Sequence, residues 1–174
     1  MKLKAAKVTT PFEYPMFKQC ADEWGSDLMD SKTVCQVGCL MSSTSMGLAG
    51  INIDLDSKPS TPGTFNEWLR ENGGYDGSND FIESSAHKVD PDRVVWPEDA
   101  FHRTNDLSYE TITSYLDQGR VVIGNVHNGR HFVLLTGYSD DKDTFAVNDP
   151  GFNTLTYSYS QDIVGYRIFD MKRE

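Results

Sequence analysis

The sequence predicts an α+β fold in which helices from the first part of the chain pack on one side of a small antiparallel sheet. Helix signals occupy the chain up to residue 118. From residue 121 onwards, short runs of β-branched and aromatic residues alternate with turn residues, as in antiparallel strands. Helices first and strands afterwards is the order expected of an α+β domain. We expect one domain over residues 1–174, with residues 1–10 as a loose tail.

Three helices are predicted from their composition or from their ends. Residues 38–50 (GCLMSSTSMGLAG) are rich in small side chains, which is typical of a buried helix whose neighbours approach closely, and Gly50 supplies a stop. Thr64 is a candidate N-cap for a second helix over residues 65–72. Ser108 opens a third helix that ends at residue 118.

Four strands are predicted after the third helix. Turn composition at Asn128-Gly129 and in the segments 139–143 and 149–151 separates them. The predicted strands cover residues 121–126, 131–138, 144–147 and 164–169.

The net charge of the chain indicates which classes of partner it can bind. Sixteen basic and 26 acidic residues give a formal net charge of −10, which argues against nucleic acid because phosphate binding needs clustered Lys and Arg. The same charge favours a basic substrate or a basic wall of the cleft. No apolar run approaches the roughly 20 residues that cross a bilayer, and no hydrophobic signal core stands at the start. We expect a monomer that acts on a peptide or protein substrate.

Three cysteines, Cys20, Cys35 and Cys39, lie close together in the sequence. An odd number leaves one thiol over if two of them pair. The spacing permits a disulfide between Cys20 and Cys35, and we expect that pairing, with Cys39 free. Such a disulfide would imply a secreted protein or another oxidising compartment.

Cys39 is a candidate nucleophile because it directly follows Gly38 at the first turn of the predicted small-residue helix. There the backbone N–H groups and the helix dipole favour the thiolate, which is the reactive form of cysteine. A small buried core residue is the alternative, since most free cysteines are of that kind.

His131 and Asp149 are the candidate partners of that thiol. His131 begins an apolar strand after a glycine turn, and Asp149 follows another strand and precedes Pro150. If the two strands are antiparallel neighbours, their open ends lie close together and the carboxylate can orient the imidazole. A sheet-edge histidine and a plain Asp-Pro-Gly turn are the structural alternatives.

The order of these residues resembles the papain-like cysteine peptidases, in the branch of the bacteriocin-leader (double-glycine) peptidases. The stretch TVCQVGCLMSSTSM over residues 33–46 resembles the nucleophile segment of that family, and GRHFVLLTGY over residues 129–138 resembles its histidine strand. Asn148-Asp149-Pro150 resembles its Asp-Pro motif, and Gln19 with Trp24-Gly25 resembles its lead-in.

This resemblance implies a papain-like fold with the nucleophile at a helix N-terminus, and peptide-bond hydrolysis without a cofactor. It implies Cys39 as nucleophile, His131 as base and Asp149 as orienting residue. It also implies Gln19 as the oxyanion donor, with Gln36 as an alternative closer to the cysteine in sequence. Leu40 and Met41 stand where the family usually has Gly-Pro, and Arg130 stands where a second glycine is common.

Three other interpretations are open. The three cysteines with His131 could bind zinc, although the C-x-x-C spacing of strong zinc motifs is missing. The acidic loops 54–56, 76–80 and 140–143 could bind calcium, but none follows the regular calcium-loop pattern. A papain-like domain that binds peptides without cleaving them is the third interpretation.

Two further expectations concern the surroundings of the site. Residues 75–106, which are long and irregular, are expected to be loops with one or two short elements that shape one side of the cleft. His87, His102 and His127 lack local partners in the sequence and are expected to be surface or structural residues.

Overall fold

An antiparallel sheet of eight strands forms the centre of the structure, a computed structural model that describes residues 5–174. The strand order is β2-β8-β4-β5-β6-β7, with β1 beside β5 and β3 beside β8. The strands are β1 (Val8–Thr9), β2 (Val94–Val95), β3 (Phe101–His102), β4 (Val121–Val126), β5 (His131–Ser139), β6 (Thr144–Asn148), β7 (Thr156–Ser158) and β8 (Gly165–Met171). The four strands predicted from sequence correspond to β4, β5, β6 and β8 to within two residues at each end.

Four α-helices accompany the sheet in the described residues: α1 (Val34–Val37), α2 (Cys39–Gly50), α3 (Pro62–Glu71) and α4 (Tyr109–Asp117). Short 3₁₀ segments cover Glu83–Val89 and His127–Gly129. The mixed helices and antiparallel sheet are compatible with the α+β papain-like fold that the sequence predicts.

Helix α2 confirms the prediction of a buried small-residue helix. Residues 41–48 are all buried, because this helix packs against β4 and β5 on one side and α3 on the other. A Cβ atom added at Gly47 would lie 2.8 Å from Cγ1 of Val121. Glycine is therefore required where the helix approaches the strand.

The start of α3 differs from the prediction. Thr61, not Thr64, is the N-cap, and Pro62 occupies the first helical position. Thr64 is the third helical residue and closes a reciprocal capping box, in which its Oγ1 accepts from the Thr61 N–H at 2.9 Å and its own N–H donates to Thr61 Oγ1 at 3.1 Å. The N-cap of α4 is as predicted, since Ser108 Oγ accepts from the Thr111 N–H at 3.1 Å.

The expectation that helices cover only one side of the sheet is wrong. Side chains alternate along β4, so Val121 and Ile123 belong to the hydrophobic cluster that contains α2 and α3. Val122 and Val126 face the opposite side, where Ile112 and its neighbours on α4 cover them. The sheet therefore lies between α2 and α4, with a hydrophobic cluster on each face.

Residues 75–106 do not shape a cleft wall, contrary to the sequence-based expectation. Strands β2 and β3 within this segment pair with β8, at the edge of the sheet remote from β6. Phe81 and Val94 add to the cluster around α2. The segment thus extends the sheet and its core.

The N-terminal tail is shorter than expected. Residues 1–4 lie outside the described residues, whereas Val8 and Thr9 pair with Ser139 and Tyr138 of β5. The Lys7 N–H also donates to Asp140 Oδ1 at 2.9 Å. Among residues 5–174, none of the helices has the length and apolar composition needed to cross a membrane.

Candidate active site

A cavity of about 690 Å³ opens where the start of α2, the β4–β5 turn and the loop after β6 meet. Three of the four residues predicted for catalysis and oxyanion binding line it: Gln19, Cys39 and His131. The other lining residues are Cys20, Cys35, Gln36, Val37, His127, Asn128, Arg130, Gly151 and Phe152.

Cys39 is the first residue of α2 and is a free, partly exposed thiol. Gly38 is the N-cap, and a Cβ at that position would lie 2.5 Å from the carbonyl oxygen of Val34. Glycine therefore lets α1 and α2 meet closely enough to present Cys39 to the cavity. The N–H groups in the first turn of a helix have no partner within it, so they stabilise a negative charge at this sulfur.

Cys20 and Cys35 form a disulfide in the structure, as the sequence analysis predicts. Cys20 follows Gln19 directly, and Cys35 lies in α1, so the bond joins the lead-in segment to the region just before Cys39. One wall of the cavity is therefore cross-linked.

His131 and Asp149 are in direct contact. Strands β5 and β6 pair antiparallel, with Leu134 opposite Asn148, so the start of β5 meets the residue that follows β6. The Nε2–H of His131 donates to Oδ1 of Asp149 at 2.6 Å. Both side chains are buried, with His131 6% exposed and Asp149 0% exposed.

Asp149 accepts hydrogen bonds at both carboxylate oxygens. Besides His131, the backbone N–H groups of Gly151 and Phe152 donate to Oδ1 at 2.9 and 3.0 Å. The hydroxyl of Tyr157 donates to Oδ2 at 2.6 Å. Burial opposes ionisation, but the bonds from His131, Tyr157 and the two backbone groups outweigh it and lower the pKa of Asp149 to about 2. The carboxylate is therefore ionised at neutral pH.

His131 is held in its protonated form. Burial lowers the pKa of this imidazole, but interactions with Asp149 and Cys39 raise it to a net value of about 9. The ionised carboxylate of Asp149, which is hydrogen-bonded to the ring, favours the imidazolium. The arrangement is thus suited to hold a proton on His131 at neutral pH.

Gln19 lies in the cavity wall, but its amide nitrogen already donates a hydrogen bond within the protein. It donates to the carbonyl oxygen of Cys35 at 2.9 Å, and the Gln19 backbone N–H donates to the Pro150 carbonyl at 2.9 Å. Gln19 Oε1 is buried and has no hydrogen-bond partner among the described residues. The alternative, Gln36, accepts from the Thr33 N–H at 2.9 Å and caps α1. Gln19 is thus the amide that retains an unpaired polar atom.

Three residues support the site in ways that the sequence analysis missed. The hydroxyl group of Tyr157 donates its only proton to Asp149. The hydrogen bond of 3.1 Å between Tyr157 and His127 must therefore run from the Nε2–H of His127 to the Tyr157 oxygen. His127 is thus a surface residue that lines the cavity and supports Tyr157, which agrees with the expectation of a surface or structural residue, although its place in the cavity was not predicted. Lys18 Nζ donates to the carbonyl oxygens of Asp149 and Phe152, each at 2.7 Å.

His87 and His102 are structural, as expected. His87 Nδ1 is hydrogen-bonded to the carbonyl oxygen of Val94 at 2.6 Å. His102 contacts Asp106 Oδ1 and the Asp99 carbonyl oxygen, each at 2.7 Å. Neither residue lines the cavity.

The zinc and calcium interpretations receive no support from the side-chain positions. The Cys20–Cys35 disulfide removes two of the four ligands that a zinc site with Cys39 and His131 would use. Among residues 5–174, no group of three or more His, Cys, Asp or Glu side chains is placed to hold a metal ion.

The mixed fold, and a cavity that holds Cys39 and the His131 bonded to Asp149, are compatible with the class of cysteine-peptidase-like proteins. The model of the Peptidase_C39 like family matches residues 12–167, which is most of the chain. The chain therefore belongs to the Peptidase_C39 like family and is related to the papain-like cysteine peptidases, as the sequence resemblance implies. No curated protein and no solved structure matches it significantly.

Proposed function

We propose that the protein is a cysteine peptidase with Cys39 as nucleophile, His131 as general base and acid, and Asp149 as the residue that orients His131. One observation carries the proposal: the imidazole bonded to Asp149 at 2.6 Å lines the same cavity as the free thiol of Cys39. A thiol beside an imidazole that a carboxylate orients is the arrangement of activated cysteine nucleophiles. Membership of a peptidase-like family supports a peptide substrate.

The proposed reaction starts from a thiolate–imidazolium pair, in which the proton of the Cys39 thiol is already on His131. The sulfur then attacks the carbonyl carbon of the scissile bond, and the oxyanion accepts hydrogen bonds from the Cys39 N–H and the Gln19 amide. His131 returns its proton to the leaving nitrogen as the C–N bond breaks, which leaves a thioester on Cys39. Water, deprotonated by His131, hydrolyses the thioester and regenerates the thiol. No step requires a cofactor.

The charges at the site support this sequence of steps. The pKa of Asp149 is lowered to about 2, and the pKa of His131 is raised to about 9. Both shifts favour an aspartate–imidazolium pair at neutral pH. An imidazolium beside Cys39 favours the thiolate, and it is the acid that the leaving nitrogen requires.

A second candidate is a domain that binds peptides without cleaving them. The observation in its favour is that the Gln19 amide nitrogen donates to the Cys35 carbonyl rather than into the cavity. For Gln19 to act as an oxyanion donor, its amide must turn so that an N–H replaces the unpaired Oε1. The two candidates share a fold and a cleft, and differ in whether Cys39 reacts.

Alkylation of the native protein tests the proposal. Brief treatment with iodoacetamide at neutral pH, followed by mass spectrometry, measures the reactivity of Cys39 because the other two cysteines are disulfide-bonded. Fast alkylation is expected for the wild type and slower alkylation for His131→Ala. His102→Ala is the matched control, because His102 lies outside the cavity.

Hydrolysis of a mixed internally quenched peptide library completes the test. The wild type is expected to cleave members of the library, and Cys39→Ala to cleave none. Sluggish alkylation that does not depend on His131, together with no cleavage, would instead identify the protein as a non-hydrolysing binding domain.

A further inference from the structure

The proposed catalytic cavity differs in charge from the rest of the protein. The chain has a formal net charge of −10, which by itself favours a basic substrate. Of the twelve described residues that line the cavity, however, none is Asp or Glu. Arg130 and two histidines, His127 and His131, are the lining residues that can carry a charge apart from the thiol of Cys39. Since His131 is bonded to the Asp149 carboxylate, Arg130 is the permanently charged side chain among the described residues that line the cavity.

Arg130 is the cation of this cavity that has no protein counter-charge. The ion pairs of residues 5–174 do not include it. Other arginines are held by the protein: Arg93 donates to the Ile51 carbonyl oxygen at 2.8 Å, and Arg173 lies over the ring of Phe12 at 3.8 Å. Arg130, in contrast, is exposed at the rim of the cleft.

The backbone fixes Arg130 next to the proposed base. It follows a turn in which His127, Asn128 and Gly129 have φ angles of 51°, 56° and 90°, and its N–H donates to the His127 carbonyl at 3.2 Å. His131, directly after it, pairs with Val126 in the sheet. Because Arg130 and His131 line the same cavity, a group bound by Arg130 lies in the cleft that holds the scissile bond.

We propose that Arg130 forms an acid-binding subsite, so that the cleft takes peptides with an Asp or Glu side chain, or a terminal carboxylate, near the scissile bond. Guanidinium and carboxylate groups match in geometry and form paired charge-assisted hydrogen bonds. The described residues that line the cavity include no acidic side chain. The guanidinium of Arg130 can therefore bind a carboxylate of the substrate. The inference rests on the proposed function for the identity of the reacting bond, but binding of an acidic peptide does not depend on hydrolysis.

The test compares peptides that differ only by Glu and Gln at one position. The parent peptide is the best-cleaved member of the mixed library, and each position that flanks its cleaved bond is varied in turn at about 0.15 M salt, where remote charges are largely screened. The wild type is expected to prefer Glu over Gln at one position, on the order of tenfold in kcat/KM. Arg130→Gln is expected to lose that preference.

Arg70→Gln is the matched control. It removes the same charge from an exposed arginine outside the cavity, so a general effect of net charge would appear in both variants. The control is expected to keep the preference for Glu. Equal cleavage of the Glu and Gln peptides by the wild type, or an unchanged preference in Arg130→Gln, would overturn the inference and leave the proposed function intact.

Binding without catalysis separates the two proposals. The same library is applied to immobilised Cys39→Ala protein, with and without Arg130→Gln, and the retained peptides are sequenced by mass spectrometry. Enrichment of Asp and Glu that requires Arg130 supports the inference even if the wild type cleaves nothing, in which case only the proposed hydrolysis fails. Retention without such enrichment, or no retention, overturns the inference.

Discussion

The hydroxyl group of Tyr157 donates a 2.6 Å hydrogen bond to Oδ2 of Asp149, on the carboxylate oxygen that His131 does not use. Burial and the neighbouring carboxylate raise the pKa of Tyr157 above its ordinary value, so the phenol keeps its proton over the usable pH range. The Nε2–H of His127 in turn donates to the Tyr157 oxygen at 3.1 Å. The aspartate that is bonded to His131 is thus itself held by Tyr157, which His127 supports in turn.

The Tyr157→Phe variant is predicted to lower kcat about tenfold and the free energy of unfolding by about 1.5–3 kcal/mol, because it leaves one buried oxygen of a charged carboxylate without its donor. The pKa of Asp149 should rise towards its ordinary value, so the acidic limb of the rate profile moves to higher pH. Tyr138→Phe is the control, since the Tyr138 hydroxyl donates to the exposed Asp117. Identical pH profiles for Tyr157→Phe and the wild type would contradict a role in positioning Asp149.

The rate of hydrolysis is predicted to fall as the pH rises through about 9. The pKa of His131 is raised to about 9, so its proton is present below that pH and lost above it, and the leaving nitrogen then has no acid. The measurement is kcat/KM against pH, with the rate of Cys39 alkylation as the control. Alkylation needs only the thiolate, so it should not decline over the same range. A rate that stays constant to pH 10 would show that His131 is not the acid.

Much of this site could be predicted from sequence because its parts lie at the ends of regular elements. The small-residue composition of residues 38–50 places Cys39 at a helix start, and the alternating patterns of β5 and β6 bring His131 near Asp149. These signals are local and depend on periodicity.

The remaining features depend on contacts that no local pattern records. Strand β7 has three residues, too few for a periodic signal, and so the contact of Tyr157 with Asp149 could not be found. His127 is a surface residue, as expected, but its place in the cavity was not predicted, because the left-handed turn that positions it has no sequence signal beyond Asn128-Gly129. The direction of the Gln19 amide is decided by the Cys35 carbonyl oxygen, which lies 16 residues away.

Thiol titration of the unreduced, denatured protein is predicted to find one thiol, that of Cys39. The double variant Cys20→Ser/Cys35→Ser is predicted to lower the free energy of unfolding by about 2–4 kcal/mol, because the disulfide closes a loop between residues 15 apart. Urea unfolding measures this loss. Three titrated thiols in the wild type would contradict the pairing.

The Gln19→Ala variant is predicted to lower kcat by about 10²-fold while Cys39 alkylation keeps its wild-type rate. The physical reason is that acyl transfer develops an oxyanion and alkylation does not. Gln36→Ala is the control, because the Gln36 side chain caps α1. If Gln36→Ala lost activity and Gln19→Ala did not, the oxyanion donor would have to be reassigned.

The Gly151→Ala variant is predicted to displace His131. A Cβ at residue 151 would lie 2.7 Å from Cε1 of His131 and 3.3 Å from Oε1 of Gln19, and the ring has little room because it also contacts Phe152 at 5.0 Å between ring centres. The shift should weaken the bond to Asp149, lower the pKa of His131 and reduce kcat at least tenfold. Histidine titration by NMR measures the pKa directly.

Gly63→Ala is the control for that variant, since its Cβ would meet Trp24 at 3.3 Å near the start of α3, outside the cavity. It should leave both kcat and the pKa of His131 unchanged. If Gly151→Ala kept the wild-type pKa and rate, the imidazole would have to move freely within its pocket. The orienting role proposed for Asp149 would then lose its structural basis, because a carboxylate can fix only a ring that the surrounding atoms confine.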